Sequence, residues 1–184
     1  MFGGSFDPVH VGHLFVAEEA RINLGYDGVL FVPAYQPPHK ADAPAATADE
    51  RVRMLELALN GRQDFVVDTW ELEQQGISYT IDTVEHLYRS KNVEGRLGLI
   101  MGDDLLEGFH TWRNAERLAE MVDIIVATRD GEDKADMRYS TIDNSPLPVS
   151  SSEVRERIRA GKAFRYLVPE SVYGYIRTHD LYRS

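Results

Sequence analysis

Four short apolar runs, separated by stretches with helical spacing, constrain the fold of this 184-residue chain more than any other feature. "GVLFVPA" (28–34) is β-branched and aromatic and ends at a proline. "FVVDTWEL" (65–72) begins as a second strand, and "RLGLIMG" (96–102) and "VDIIVATR" (122–129) are two more. Runs this short read as buried strands. Amphipathic patterns predict helices at 13–25, 49–61, 80–92 and 113–121, and two more, at 152–161 and 169–178, close the chain. Buried strands alternating with helices join as right-handed β-α-β units. They build an α/β fold, an open parallel sheet with helices on both faces. The length suits one domain over 1–184, with a C-terminal helical part at about 150–184.

Such a sheet binds ligands beyond the carboxyl ends of its strands. Three loops at that edge are rich in polar or special residues: 2–13, 33–48 and 102–112. "KADAPAATADE" (40–50) has no apolar period and reads as a lid or linker, and 129–146 reads as a polar excursion. There is no cysteine, which removes thiolate chemistry and fits a reducing compartment. The net charge of -10 argues against broad nucleic-acid binding, while allowing a phosphate ligand held by a local cluster of donors. No apolar run reaches the ~20 residues that span a bilayer, and the opening residues do not look like a signal peptide. A cytoplasmic protein without membrane association is expected, with homo-oligomerisation left open.

The densest chemistry is the opening, "MFGGSFDPVHVGH". Gly3 and Gly4 leave backbone bare enough to approach a phosphate. Asp7-Pro8 reads as a turn or helix start, and His10 and His13 are three apart, so their rings can share one helix face. A helix N-terminus with two imidazoles suits an anion. A glycine turn with an incidental histidine pair, or a two-ligand metal site, are the alternatives. Only Met1 and Phe2 precede the glycines, against about 5–6 residues in a usual strand. Either strand one is a stub or the chain begins late, and the reading favours a lost N-terminal segment.

Four further stretches carry polar groups. In "PVSSSEVRERIRAG" (148–161), Ser150 and Glu153 fit a helix capping box, while Ser151, Ser152 and Arg155 are surplus to one cap and suit an anion. In "MGDDLLEGFHTW" (101–112), Asp103 and Asp104 suit ribose hydroxyls, a hydrated metal or a cap, and Trp112 suits either a flat ring or the core. "PAYQPPHK" (33–40) presents His39 and Lys40 as phosphate donors or as a solvated loop. "ISYTIDT" (77–83) looks like a helix entry whose N–H groups can grip a carboxylate.

"GGSFDPVHVGH" together with "SSSEVR" resembles the signatures of the H-x-G-H nucleotidyltransferase superfamily. "VPAYQPPHK", "ISYTIDT", "GDDLLEGFHTW" and "YLVPESVYGYIRTHDLYR" resemble, in order, the nicotinate-nucleotide adenylyltransferase family within it. The resemblance implies a Rossmann-like sheet of nucleotidyltransferase type. It implies adenylyl transfer from ATP to nicotinate mononucleotide, giving deamido-NAD and pyrophosphate in NAD biosynthesis. By matching positions, His10, His13 and Arg155 would be catalytic. Gly3, Gly4, Ser5, Phe6, Gly102, Asp104, Ser150 and Ser152 would join them around ATP. Ser5, Phe6, His39, Lys40, Tyr79, Thr80 and Trp112 would hold the mononucleotide. Mg²⁺ would ride on the ATP phosphates, with no metal held by protein side chains alone. The family's R-P-G stands here as "RDG" from Arg129. The serine signature also resembles that of phosphopantetheine adenylyltransferase, an alternative activity, and a nucleotide-binding sensor is the alternative without turnover.

Overall fold

The structure of the chain, a computed structural model, describes residues 1–37, 43–91, 93–127, 139–142 and 147–183, with the backbone alone at 139, 141 and 142. Six strands appear among them: β1 Phe2–Gly4, β2 Val29–Pro33, β3 Phe65–Val67, β4 Leu97–Gly102, β5 Val122–Ala127 and β6 Tyr139–Ile142. All pair in parallel, in the order β3-β2-β1-β4-β5-β6. The helices are α1 Val11–Leu24, α2 Ala48–Leu59, α3 Trp70–Gln74, α4 Thr80–Ser90, α5 Asp103–Leu106, α6 Ala115–Met121, α7 Ser151–Arg159 and α8 Glu170–Thr178. The order reverses between β1 and β4, which is where an open α/β sheet forms its crevice.

Successive strand residues point to opposite faces, so each strand feeds two cores. Phe31, Ile100 and Ile125 pack with Ala17, Met54, Leu55, Val154, Val172 and Ile176, which puts α1, α2, α7 and α8 on one face. Val32, Leu99, Met101 and Val126 pack with Ile81, Val84, Leu87 and Leu118 from α4 and α6 on the other. Met54 and Leu55 are fully buried, each a gain of about 1.5–3 kcal/mol over exposure. Helix ends follow local rules. Thr47 and Glu50 form a reciprocal capping box before α2, and Gly25 closes α1 in the left-handed region at φ 71.

Several expectations shift. The run from 65 ends as strand at Val67, because the Asp68 carboxylate accepts from the Trp70 N–H (3.1 Å) and starts α3. The excursion at 129–146 holds β6, a short edge strand whose ladder is supplied by β5. The lid reading of 40–50 fails from Ala45 on. The N–H groups of Ala45 and Ala46 are tied to Asp7, and Thr47–Glu50 open α2. Strand β1 has three residues, and Met1 carries its ladder further by accepting from the Ile100 N–H (2.9 Å). Among the described residues no helix is long and apolar enough to cross a membrane.

Candidate active site

A cleft of about 670 Å³ opens over the carboxyl ends of β1 and β4, at the point where the strand order reverses. Every residue expected along ATP lines it. Gly3 and Gly4 come from the end of β1, Ser5, Phe6, His10 and His13 from the following loop and α1, Gly102 and Asp104 from the end of β4, and Ser150, Ser152 and Arg155 from the start of α7. The glycines end a strand rather than make a turn. Gly4 makes room for Phe6, since a Cβ there would sit 3.2 Å from that ring. Phe6 itself bends back at φ 47, a conformation costing a non-glycine residue about 1–3 kcal/mol. Its ring is 1% exposed in the core, edge-on to His13 at 5.0 Å.

His10 is the N-cap of α1, and His13 lies in the first turn. Their rings stack with centroids 3.6 Å apart, as the three-residue spacing predicts. The His10 N–H donates to His13 Nδ1 (3.2 Å), so neutral His13 carries its proton on Nε2. Gly12 between them is a close-approach glycine. A Cβ would lie 2.9 Å from Val149 Cγ1 and 3.1 Å from His10 Nδ1. The opening motif thus packs directly against the segment leading into α7.

Other contacts close that seam. Ser150 caps α7 by accepting from the Glu153 N–H (3.1 Å), one half of the expected capping box, while the Glu153 carboxylate accepts from Arg157 Nε (2.8 Å). Ser151 donates to the Pro8 carbonyl (2.9 Å), and Ser152 Oγ accepts from Arg155 Nη2 (3.3 Å). Arg155 Nη1 donates to the Asp7 carbonyl (2.7 Å) and lies 3.7 Å from the Asp7 carboxylate.

Sequence reasoning missed two buried residues beneath this floor. Asp7, read as a turn signal, is a junction: its carboxylate accepts from Ala45 N (2.8 Å), Ala46 N (3.0 Å) and the Tyr182 hydroxyl (2.8 Å). Arg51 is 2% exposed and donates from Nη1 to the carbonyls of Ser5 and Ala34, both at 2.8 Å, joining the loops after β1 and β2. Burial lowers its pKa, and the Asp7 charge opposes that. The signal was present in Arg51's spacing with the buried Met54, Leu55 and Leu59, a cation on the apolar face of an amphipathic helix.

The residues expected on the mononucleotide side divide. Ser5 and Phe6 line the cleft; Tyr79, Thr80 and Trp112 do not. Tyr79 and Trp112 are half-buried against the α4/α6 core, with Trp112 5.3 Å from the Phe109 ring. Arg113 lies 4.7 Å above the Tyr79 ring and pairs with Asp82 (3.2 Å) at the start of α4. Asp103 accepts from the Asp104 N–H (2.9 Å), a local turn role, whereas Asp104 reaches the cleft. His39, Lys40 and Arg129 lie outside the described residues.

A third missed residue, Glu71, supports the start of α4. It is buried and accepts from Thr83 (2.5 Å), and burial raises its carboxyl pKa while hydrogen bonds from Thr83 and Ser78 oppose the rise. Ser78 in turn accepts from the Tyr35 N–H (3.1 Å), and its own N–H donates to Gln36 O (3.1 Å). The loop after β2 is thereby fastened to "ISYTIDT". No groups of three or more metal-ligating side chains gather among the described residues.

Comparison with known proteins agrees with this architecture. The family model described as cytidylyltransferase-like matches residues 1–157. Such proteins form a class of nucleotidyltransferases. A Salinibacter ruber protein named "Probable nicotinate-nucleotide adenylyltransferase" is 42% identical over 189 residues, covering 100% of this chain and 96% of the relative. A Bacillus pumilus protein of the same name is 38% identical over 186 residues, covering 100% and 97%. The structure of Plasmodium falciparum nicotinic acid mononucleotide adenylyltransferase complexed with NaAD shares the fold, with a TM-score of 0.79 at 21% identity over 98% of this chain and 95% of that one. The chain belongs to the cytidylyltransferase-like family and, within it, to the nicotinate-nucleotide adenylyltransferases.

Proposed function

We propose that the chain transfers the adenylyl group of ATP to nicotinate mononucleotide in the cleft at the β1/β4 crevice. The observation that carries the site assignment is the convergence there of the stacked His10/His13 pair with Ser152 and Arg155 from the other end of the sequence. A phosphate oxygen of the mononucleotide attacks the α-phosphorus of ATP. The bond from that phosphorus to the β-phosphate oxygen breaks, and pyrophosphate leaves with the electron pair. No side-chain nucleophile is required, so the site works by positioning and by stabilising charge.

We assign the roles as follows, on the cleft lining for the ATP side and on the matching family positions for the mononucleotide side. The Nε2–H of His13 and the ring of His10 face the triphosphate and the negative charge that grows on the leaving group. Ser150, Ser152 and Arg155 hold the β- and γ-phosphates at the N-terminus of α7, where the helix dipole favours anions. The bare backbone of Gly3 and Gly4 lets the phosphates lie close over β1, and Asp104 takes ribose hydroxyls. Tyr79, Thr80 and Trp112 receive the pyridine ring and its carboxylate, with His39 and Lys40 approaching phosphate. Asp104 is the cleft's carboxylate from the β4 end, and among the described residues no group of three or more metal-ligating side chains gathers, which suits a Mg²⁺ carried by ATP better than a protein cage. Bound with ATP, that ion would neutralise phosphate charge. The cytoplasm is the compartment we assign.

An acceptor panel tests the reading. With Mg-ATP, pyrophosphate release is far faster with nicotinate mononucleotide than with phosphopantetheine. Equal or reversed rates remove the reading in favour of another member of the superfamily.

A further inference from the structure

We propose that Tyr182, the third residue from the end of the chain as given, is a positioning residue for the triphosphate side of the cleft, acting through Asp7 to keep Arg155 available to phosphate. The effect on turnover rests on the adenylyl-transfer reading; the effect on phosphate binding does not.

Tyr182 does not line the cleft, and its ring is 6% exposed in the core cluster that contains Phe6. Its hydroxyl donates to Asp7 Oδ1 at 2.8 Å, across 175 residues of sequence. Of the donors with hydrogen bonds to the Asp7 carboxylate, Ala45 N, Ala46 N and Tyr182, this is the one that comes from a side chain. The tail adopts an unfavourable backbone to deliver it. Asp180 and Tyr182 stand at φ 51 and φ 64, in the left-handed region that non-glycine residues avoid. Such conformations persist where the surroundings over-determine them, and here a buried ring and a buried hydrogen bond do so.

The consequence falls on Arg155. One guanidinium nitrogen is held by the Asp7 carbonyl at 2.7 Å, and the same nitrogen is 3.7 Å from Asp7 Oδ2. A carboxylate free to turn could close that gap into a full ion pair and take up the guanidinium that faces phosphate. Tyr182 and Ala46 hold Oδ1, and Ala45 holds Oδ2, so the carboxylate stays where it is. Burial first, and the Asp7 charge second, push the phenol pKa up, so the hydroxyl remains a donor across the working pH range.

The test is Tyr182→Phe in the full chain, which deletes one hydroxyl, beside Tyr88→Phe as a control. Tyr88 is half-buried, donates to Met121 O (2.8 Å), accepts from Leu97 N (2.9 Å) and is not part of the cleft lining. Calorimetric titration with Mg-ATP, without acceptor, should show affinity about tenfold weaker for Tyr182→Phe, the order of one hydrogen bond to a charged group. Tyr88→Phe should match wild type. In turnover, kcat/KM for ATP should fall with the KM for nicotinate mononucleotide unchanged. Binding by Tyr182→Phe within twofold of wild type, or an equal loss in both variants, overturns the proposal. Wild type that binds Mg-ATP but makes no deamido-NAD would defeat the adenylyl-transfer reading and leave the binding ratio to decide on Tyr182. If Tyr182→Phe does not fold, hydrogen exchange on the wild-type chain decides. By reciprocity of coupling, saturating Mg-ATP should slow exchange at the Leu181 N–H, which donates to Ile176 O (3.1 Å). Unchanged exchange there overturns the idea.

Discussion

His13 does two jobs, and they separate by experiment. Its Nδ1 satisfies the His10 N–H at the helix start, and the proposed mechanism gives its Nε2–H to the triphosphate. His13→Ala should lower turnover by ~10²–10³, the scale of one lost oxyanion-type donor. The lost cap should cost about 1 kcal/mol of stability. Steady-state rates and urea midpoints on one preparation check both, and a stability loss with unchanged turnover would make His13 purely structural. Glu71 gives a pH signature instead. Its carboxyl pKa is raised in the folded protein, so the native state binds more protons than the unfolded chain between the ordinary value near 4.5 and the raised one. Stability from this group is therefore full below that window and falls as pH rises through it. Urea midpoints of wild type minus Glu71→Gln, taken from pH 4 to 8, should fall with rising pH and then level off. A flat difference would mean that Glu71 titrates as an ordinary carboxyl. Glu71 was legible only as a polar residue and Asp7 only as a turn or helix-start signal, because burial of a carboxylate is decided by partners 12 to 175 residues away. The histidine pair was legible, since its spacing is local and a helix start fixes where both rings point.

Strands β2, β4 and β5 and the principal helices were readable because apolar content and period survive in a single segment. Strand β6 was not, since Tyr139–Ile142 becomes a strand only by adding to β5. The stretch 40–50 misled for a similar reason: its last residues look like a linker but are pinned to Asp7 and start α2. The seam between α1 and the segment before α7 is the element-scale feature that makes one site of two distant motifs. Gly12→Ala pushes a Cβ to within 2.9 Å of Val149 and 3.1 Å of the His10 ring. It should cost about 1–3 kcal/mol as overpacking and lower kcat by displacing His10. Normal thermal stability with normal turnover would show that the seam yields freely. On the other side of β4, Trp112→Ala should raise the KM for the mononucleotide and spare the KM for ATP. If instead stability falls with both KM values unchanged, the ring belongs to the α4/α6 core.

Across the whole molecule, the strand order, the crevice at its reversal and the junction at Asp7 serve one arrangement. The start of the chain supplies the floor of the cleft, the start of α7 supplies Arg155 and the serine hydroxyls, and Asp7 is tied to both Arg155 and Tyr182 of the tail. With an overall charge of -10, the charged lining of the cleft is Arg155 beside Asp7 and Asp104, so in the proposed reaction imidazoles, hydroxyls, backbone N–H groups and the cation carried by ATP share the polyphosphate charge with Arg155. The parallel sheet was legible in the sequence, and so was the meeting of two distant motifs, around His10/His13 and Ser150–Arg155, on one cleft. Where Tyr79, Thr80 and Trp112 stand was not legible: they lie outside that lining, at the start of α4 and between α5 and α6, and chain spacing does not say which elements border a cleft. The most direct measurement is the product mixture from purified protein, Mg-ATP and nicotinate mononucleotide, read by mass. The account predicts deamido-NAD and pyrophosphate in equal amounts, without ADP. Tight ATP binding with no product, or ADP in place of pyrophosphate, would contradict it.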